Sequence, residues 1–237
     1  MNHHSNQKVR KGEELPEIPL KKYLKEINLI ESIESELFVE QFTHGFSNLT
    51  YLLKIENTDI KASKYGMIEV NDFCQTNVEG VFAMGDCNGK GAFTHTAVND
   101  FQIVESYISG KQERKISDRI TTYGLFVDPP LGRCGLTKKQ AIDQGIKVLE
   151  AKIPMKRIAR ALEKGETHGF ISILVNKDTD RIIGAAVLGT GGDEIITSIL
   201  NVMYADKPYT LIRDSMVAHP TISELIPFTL EKLKPLN

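Results

Sequence analysis

The chain has 237 residues, of which 41% are hydrophobic and 25% are charged, so it can enclose a core in one or two domains. Its formal net charge of -2 offers no positive footprint for a polyanion, and we therefore expect no nucleic-acid partner. No apolar run approaches the length of a membrane span, and the first residues lack the pattern of a signal peptide. We expect a cytoplasmic protein without a membrane partner.

Three cysteines occur in the sequence, at Cys74, Cys87 and Cys134. Their spacing forms neither a CxxC motif nor a zinc-type cluster, so no metal site is expected. An odd, scattered set of thiols is typical of a reducing compartment. We interpret each of the three as a small buried hydrophobic side chain.

The first 59 residues predict a short helix followed by a hairpin. Four apolar residues have helical spacing: Leu20, Tyr23, Leu24 and Ile27. Residues 36–42 and 49–55 are rich in strand-forming residues, and the glycine-containing stretch at 43–48 predicts the turn between them. The turn is either a plain hairpin turn or a loop whose backbone N–H groups wrap a phosphate.

The segment from Ile60 onward predicts two strands and a helix. Strands are expected at residues 67–70 and 81–84, and the second of them leads into Gly85 and Asp86. Thr94 can start a helix that ends near Ser109. We expect the inward face of this helix to carry Ala97, Val98, Phe101, Val104 and Ile108.

Gly85 and Asp86 form a candidate ligand site. A glycine lets the backbone approach a ligand, and an aspartate at the end of a strand can accept hydrogen bonds from a polyol hydroxyl. A helix start close by favours a phosphate or the electron-rich end of a flavin. The alternative is that Asp86 merely stabilises a turn.

The remainder of the chain, after a charged connector at residues 111–119, predicts an α+β fold. A capping box of Thr137 and Gln140 opens a helix that Gly145 ends. Strands are expected at residues 120–127, 148–154, 170–175 and 182–188, and helices at 193–205, 209–217 and 222–233. A turn is expected at residues 128–132 (DPPLG), directly after the first of these strands. Because the strands come first and the helices last, we expect an antiparallel sheet with helices packed on one side.

The hexapeptide at residues 219–224 (HPTISE) is the main candidate for chemistry. Thr221 and Glu224 have the spacing of a capping box, and Pro220 cannot continue a preceding helix. His219 is thus held at a helix start with a carboxylate close by, and such a pair is suited to acid–base work. The alternative is a solvated loop histidine in front of a capped helix.

The start of the chain is similar to the opening of aminoglycoside-phosphotransferase-type kinases. The resemblance spans residues 10–57 and rests on residues 10–15 (RKGEEL), 39–42 (VEQF) and 45–53 (GFSNLTYLL). Such kinases also need a catalytic aspartate loop and metal-binding acids, and nothing after Ile60 continues their pattern. We expect a truncated piece without kinase activity, with nucleotide binding through the Gly45 loop as a remote alternative.

Residues 60–237 resemble the C-terminal part of pyridine nucleotide–disulfide oxidoreductases, in particular the mercuric-reductase-like FAD-containing branch. Eight motifs carry the resemblance: residues 76–78 (TNV), 81–86 (VFAMGD), 91–96 (GAFTHT), 122–132 (TYGLFVDPPLG), 164–167 (KGET), 184–189 (GAAVLG), 192–194 (GDE) and 218–224 (AHPTISE). The implied divisions are an N-terminal piece at 1–59, a partial FAD-binding segment at 60–115 and a dimerisation domain at 116–237.

The resemblance also implies site residues. Gly85 and Asp86 match the position that binds the FAD ribitol, and a helix start against the flavin ring is formed by Ala92, Phe93, Thr94 and His95. His219 and Glu224 match the acid–base dyad of the reactive thiol, which in this family serves the partner subunit's site. A homodimer is therefore expected.

The sequence contains neither a GxGxxG motif nor a CxxxxC pair, and it lacks the unit that would bind NAD(P)H. We therefore expect a truncated, mercuric-reductase-like NAD(P)H:disulfide oxidoreductase with a partial FAD site that need not retain the cofactor. The isolated chain is expected to be inactive unless a separate chain supplies the missing half. The alternative is a non-catalytic homodimeric interaction module or a gene remnant.

Overall fold

The computed structural model describes residues 16–26, 30–34, 37–41, 51–55 and 59–236. The chain divides into two compact units, residues 1–118 and residues 119–237. Within the described residues, no helix is both long enough and apolar enough to cross a membrane. The predicted turn at residues 43–48 and the predicted helical residue Ile27 lie outside the described residues.

The first unit begins with helix α1 and a hairpin, as predicted. Helix α1 spans Glu17–Glu26 and buries Leu24. Strands β1 (Leu37–Gln41) and β2 (Tyr51–Ile55) pair in antiparallel fashion, with Leu37 opposite Ile55. The predicted hairpin is therefore confirmed in its two strands.

The two strands predicted at residues 67–70 and 81–84 are wrong. Each forms only one isolated bridge, between Ala62 and Ile68 and between Gln75 and Phe82. A strand needs a neighbour that pairs with it over several residues, and neither segment has such a neighbour in the described part of the chain. A 3₁₀ turn at Gly85–Asn88 follows directly.

Helix α2 spans Thr94–Ile108, close to the predicted bounds, but its predicted inward face is wrong at three of the five residues. Val98, Phe101 and Ile108 are exposed. Val104 is buried, as predicted, and Ala97 is half-buried. The other buried residues are Thr96, Asp100, Ile103 and Ser106. The reason is that the Asp100 carboxylate accepts hydrogen bonds from the Gly85–Asn88 turn, which places a polar residue on the inward face of the helix.

The second unit is built on a six-stranded antiparallel sheet with the order β3-β4-β7-β6-β5-β8. The strands are β3 (Thr122–Leu125), β4 (Leu131–Gly135), β5 (Val148–Pro154), β6 (Phe170–Asn176), β7 (Ile182–Leu188) and β8 (Lys234–Pro235). Five helices accompany them: α3 (Lys138–Asp143), α4 (Ala159–Lys164), α5 (Gly192–Tyr204), α6 (Thr210–Arg213) and α7 (Leu225–Leu230). The predicted α+β class is confirmed.

Helices α5 and α7 pack on one face of the sheet. Alternate residues of the central strand β6, such as Ile171 and Ile173, point to this face and are fully buried. Ile199 of α5 and Ile226 of α7 belong to the same cluster. On the other face, Leu174 packs in a smaller cluster to which α3 contributes. The main core therefore lies between the sheet and helices α5 and α7.

Strand β4 was not predicted, because residues 128–132, which include its first two residues, were interpreted as a turn. A Cβ on Gly132 would lie against the carbonyl of Gly192 and 2.9 Å from the Ile196 Cβ. The glycine is therefore required where the first turn of α5 crosses the strand, and it marks close packing rather than a turn. Helix α4 and strand β8 were not predicted either.

The capping box at the start of α3 is confirmed. The Gln140 N–H donates to the Thr137 Oγ1 at 3.1 Å, and the Thr137 N–H donates to the Gln140 Oε1 at 2.8 Å. We expect Thr137→Ala to lower the free energy of unfolding by about 1 kcal/mol. Thr137→Ser keeps the acceptor oxygen and should lose much less. Chemical denaturation of both variants checks this, and equal losses would contradict the capping role.

Candidate functional site

His219 and Glu224 are in direct contact, with 2.7 Å between the His219 Nδ1 and the Glu224 Oε2. The two side chains differ in environment: that of His219 is 72% exposed, whereas that of Glu224 is only 8% exposed. A buried carboxylate of this kind is held in place by its surroundings and can fix the orientation of the exposed ring. The imidazole is thus presented at the surface in one orientation.

The local fold explains how Glu224 reaches the histidine. The Thr221 hydroxyl donates to the Ala218 carbonyl at 2.8 Å and accepts the Glu224 N–H at 3.2 Å. This is one half of the predicted capping box. The Glu224 carboxylate engages His219 instead of closing the other half, and the helix begins only at Leu225. The predicted helix at residues 222–233 is therefore shorter than expected at both ends.

The hydrophobic residues around Glu224 fix its position. Ile222 and Leu225 on either side of it are buried in the core cluster of the sheet. The preceding helix α6 is also shorter than the predicted 209–217, so residues 216–218 form a loop that leads to the histidine. The dyad therefore sits where a loop joins a well-packed helix start.

The geometry defines what the pair can do chemically. When the His219 Nδ1 carries a proton and donates it to the Glu224 carboxylate, Nε2 is the basic nitrogen. A proton taken up at Nε2 would give an imidazolium that the adjacent carboxylate stabilises. The pair can therefore act as a general base and then as a general acid for a group that approaches from outside.

The second unit also exposes several large apolar side chains, two of them just before His219 in the sequence. Met216, three residues before it, is 99% exposed, and Val217 is also exposed. In the same unit, Phe126 is 89% exposed and its neighbour Val127 is exposed as well. Exposed apolar residues of this size are typical of surfaces that a partner covers.

The second candidate site lies in the first unit, at the Gly85–Asn88 turn. Gly85 has a φ of 75°, and its N–H donates to the buried Asp100 carboxylate at 2.8 Å. The Asn88 amide donates to the same carboxylate at 2.9 Å and to the Ala83 carbonyl at 3.1 Å. Asp86 takes no part in these hydrogen bonds to Asp100 and Asn88 and is exposed. Asp100 thus anchors the turn and leaves Asp86 available to a ligand.

The start of helix α2 forms the other part of this site. Ala92, Phe93, Thr94 and His95 are all exposed. The rings of Phe93 and His95 stack with 5.2 Å between their centroids. Because Phe93 is the N-cap residue, its side chain offers no oxygen to the first turn of the helix. The start of α2 thus presents exposed side chains and backbone N–H groups that an anionic or electron-rich ligand could approach.

The two candidate sites lie in different units, with the Gly85–Asn88 turn and the start of α2 in 1–118 and the His219–Glu224 pair in 119–237. Sequence reasoning missed Asp100 and Asn88, which hold the turn in place. One signal was available: Asp100 lies between Ala97 and Val104 at the spacing of one helix face, where an apolar residue would be expected. Among the described residues, no group of three or more histidine, cysteine or acidic side chains could hold a metal ion.

The cysteines differ in burial, and this determines their expected reactivity. Cys74 and Cys134 are buried, as predicted, whereas Cys87 is half-buried. Burial raises the pKa of the Cys134 thiol to about 12, and it also raises the pKa of Cys87. The thiolate is the reactive form, and a raised pKa lowers its fraction. We therefore expect an alkylating reagent to modify Cys87 slowly but before Cys134, and to modify Cys134 only after unfolding. Mass spectrometry of the peptides checks the order, and early labelling of Cys134 would contradict it.

Comparison with known proteins identifies the family of both units. Residues 121–228 match the family described as pyridine nucleotide-disulphide oxidoreductase, dimerisation domain. Residues 32–100 match the family described as pyridine nucleotide-disulphide oxidoreductase. The chain belongs to the pyridine nucleotide-disulphide oxidoreductases. It corresponds to the C-terminal part of the family, and the resemblance of residues 60–237 to this family is confirmed, whereas the mercuric-reductase-like branch stays a prediction.

Relatives in this family are considerably longer than the chain. The probable pyridine nucleotide-disulfide oxidoreductase RclA of Escherichia coli is 34% identical over 76% of this chain, which covers 41% of RclA. The dihydrolipoyl dehydrogenase of Geobacillus stearothermophilus is 32% identical over 73% of this chain, which covers 37% of that enzyme. The chain thus spans about 40% of the length of these relatives.

Solved structures agree with this placement. The HOCl-induced flavoprotein disulfide reductase RclA from Escherichia coli aligns with a TM-score of 0.69 at 28% identity, over 81% of this chain and 48% of RclA. LpdA from Mycobacterium tuberculosis shares the fold, with a TM-score of 0.68 at 19% identity. The match at residues 32–100 includes part of the phosphotransferase-like segment, whose resemblance to a kinase stays a prediction.

Proposed function

We propose that this chain is the C-terminal part of a flavin-dependent disulfide oxidoreductase and that it supplies the acid–base dyad of a dimeric enzyme. His219 and Glu224 form the dyad, and Gly85, Asp86 and the start of α2 hold one end of FAD. In the assembled enzyme, His219 takes the proton of a thiol as its sulfur attacks a disulfide, and later gives the proton to the sulfur that leaves as a thiolate.

The observation that carries the proposal is the contact of 2.7 Å between His219 and a carboxylate that is itself buried. A solvated loop histidine would need no such partner. Burying a carboxylate costs free energy unless the group is paired and hydrogen-bonded. Here it fixes the ring of an exposed histidine, which supports the acid–base role over the alternative of a mere helix cap.

The cofactor part of the proposal rests on the turn held by Asp100. Asp86 is exposed next to a glycine with a left-handed backbone, so its carboxylate can accept hydrogen bonds from the ribityl hydroxyls. The exposed start of α2 would face the electron-rich edge of the ring. When bound, FAD passes electrons between the nicotinamide and the disulfide. The chain's own residues only bind and orient it.

The dimer part rests on the exposed apolar side chains of the second unit. Met216 and Phe126 are almost fully accessible in this chain alone. Side chains of this type are usually buried against a second copy when a domain assembles symmetrically. An exposed His219 next to Met216 and Val217 would then face the site of the partner subunit.

We propose a mercuric-reductase-like enzyme of the cytoplasm, with NAD(P)H as the reductant. Cys74, Cys87 and Cys134 are present as thiols, which suits a reducing compartment. Reduction of mercuric ion by the assembled enzyme, compared with reduction of a dithiol-type disulfide, would test the substrate.

A second candidate function is a non-catalytic dimeric module. The sequence favours it in one respect, because no two of the cysteines in these 237 residues have CxxxxC spacing, so they hold no redox pair of that kind. Under this alternative, the second unit would still assemble into dimers. FAD binding and acid–base function would be lost.

One experiment separates these possibilities. The purified chain is mixed with FAD, excess cofactor is removed by gel filtration, and mass and visible spectrum are recorded across the peak. We expect a dimer with flavin absorbance. A colourless dimer would leave only the assembly module, and a colourless monomer would contradict both the cofactor and the dimer parts of the proposal.

A further inference from the structure

A cavity in the second unit has no role in the proposed chemistry. It has a volume of about 370 Å³ and opens where β4 ends and β7 begins, beside the C-terminal end of α5. This volume is within the range of small-molecule sites. Its apolar lining is provided by Leu136, Ile182, Ile183 and Met203.

The charged lining of this cavity is predominantly basic. Arg119, Arg133, Arg181 and Lys207 line it, with Asp206 as the one acidic side chain among its lining residues. Asp206 is engaged by Arg181, with 2.8 Å between the Oδ1 and the Nε. Arg133 lies over the Tyr123 ring, 6.0 Å from its centroid, and this contact positions the guanidinium. The cavity therefore combines positive charge with an apolar surface.

Negative groups close to the cavity are largely compensated. The carboxylate of Asp206 forms an ion pair with Arg181. The last carbonyls of α5 also accept hydrogen bonds, from the N–H groups of Asp206 to Met203 and of Lys207 to Val202. The C-terminal end of the helix therefore presents less free negative potential than an uncapped end would.

We propose that this cavity binds a phosphate monoester with a small apolar body. Such a phosphate carries nearly two negative charges at neutral pH, which suits several cations around one space. Arginine recognises phosphate through paired N–H donors, and lysine adds a point charge. The apolar body would contact Ile183, Leu136 and Met203. The lining residues all belong to the second unit and include neither His219 nor Glu224.

The test uses phenyl phosphate as the probe and isothermal titration of the purified chain at low ionic strength. We expect saturable binding, weaker binding of inorganic phosphate because it lacks the apolar body, and no binding of phenol. Lys207→Gln should weaken phenyl phosphate binding by about 5- to 10-fold. Adding Arg133→Gln should weaken it further. Since Arg133 also contacts Tyr123, the thermal midpoint of each variant is measured first.

Lys177→Gln is the matched control, because Lys177 is an exposed lysine of the same unit and does not line the cavity. It should leave the affinity unchanged. An equal loss in Lys177→Gln and Lys207→Gln would show general charge attraction and overturn the proposal. Failure of phenyl phosphate to saturate the unmodified chain would overturn it directly.

Discussion

Replacing His219 with glutamine should slow the thiol step of the assembled enzyme by about 10²- to 10⁴-fold, the usual contribution of a positioned acid–base group. A chimera makes the measurement possible, in which residues 60–237 replace the matching C-terminal part of Escherichia coli RclA. The chimera regains the regions that this chain does not cover. The expected loss is in the rate of NAD(P)H-dependent disulfide reduction, with flavin content and dimer mass unchanged.

Glu224→Gln should give a smaller loss than His219→Gln in the same chimera. The amide keeps the volume and can still contact the His219 Nδ1, but it no longer stabilises a charged ring. His168→Gln is the matched control, since His168 is an exposed histidine of the same unit. It should leave the rate unchanged. If His219→Gln were as active as His168→Gln, the dyad would have no acid–base role.

The strands in the core of the sheet could be predicted from the sequence, because their residue pattern favours a strand and their packing in the fold favours the same structure. Residues 148–154 and 182–188 were predicted as strands, and the structure has β5 and β7 with these bounds. Both strands are rich in branched apolar residues and are bounded by turn residues, so local preference and tertiary packing favour the same structure.

The predictions failed where a residue has a tertiary role that its type does not show. Gly132 was interpreted as part of a turn, but it lies in β4 and makes room for the backbone of α5. Phe101 was predicted to face inward, but it is exposed because Asp100 occupies the buried side of α2. In both cases, a contact between residues distant in sequence overrides the local pattern.

The candidate site was predictable in its residues but not in its geometry. The HPTISE spacing identified His219 and Glu224, yet a capping box would have directed the Glu224 carboxylate to the backbone. The structure instead brings it to the imidazole. Sequence spacing alone cannot distinguish the backbone from the imidazole as the partner of the Glu224 carboxylate, because both lie within reach of this side chain. Which of them it contacts depends on the path of the loop before Thr221.

Gly132→Ala should produce the largest loss of stability among the substitutions considered, about 3 kcal/mol or more. The new Cβ would lie 2.7 Å from the Gly192 carbonyl carbon and 2.9 Å from the Ile196 Cβ, and the nearest obstacle is backbone. Backbone cannot rotate away as a flexible side chain can, so β4 and α5 must separate. Chemical denaturation monitored by circular dichroism measures the loss.

Gly124→Ala is a closely matched control, because Gly124 lies directly opposite Gly132 in the β3–β4 pair. A Cβ there would meet the Asp193 Cβ at 3.5 Å, an ordinary contact. We expect little change, since alanine also reduces the freedom of the unfolded chain. Equal losses in the two variants would mean that glycine is needed for strand geometry in general. A loss confined to Gly132→Ala would show that the close packing of α5 on β4 requires a glycine at this position.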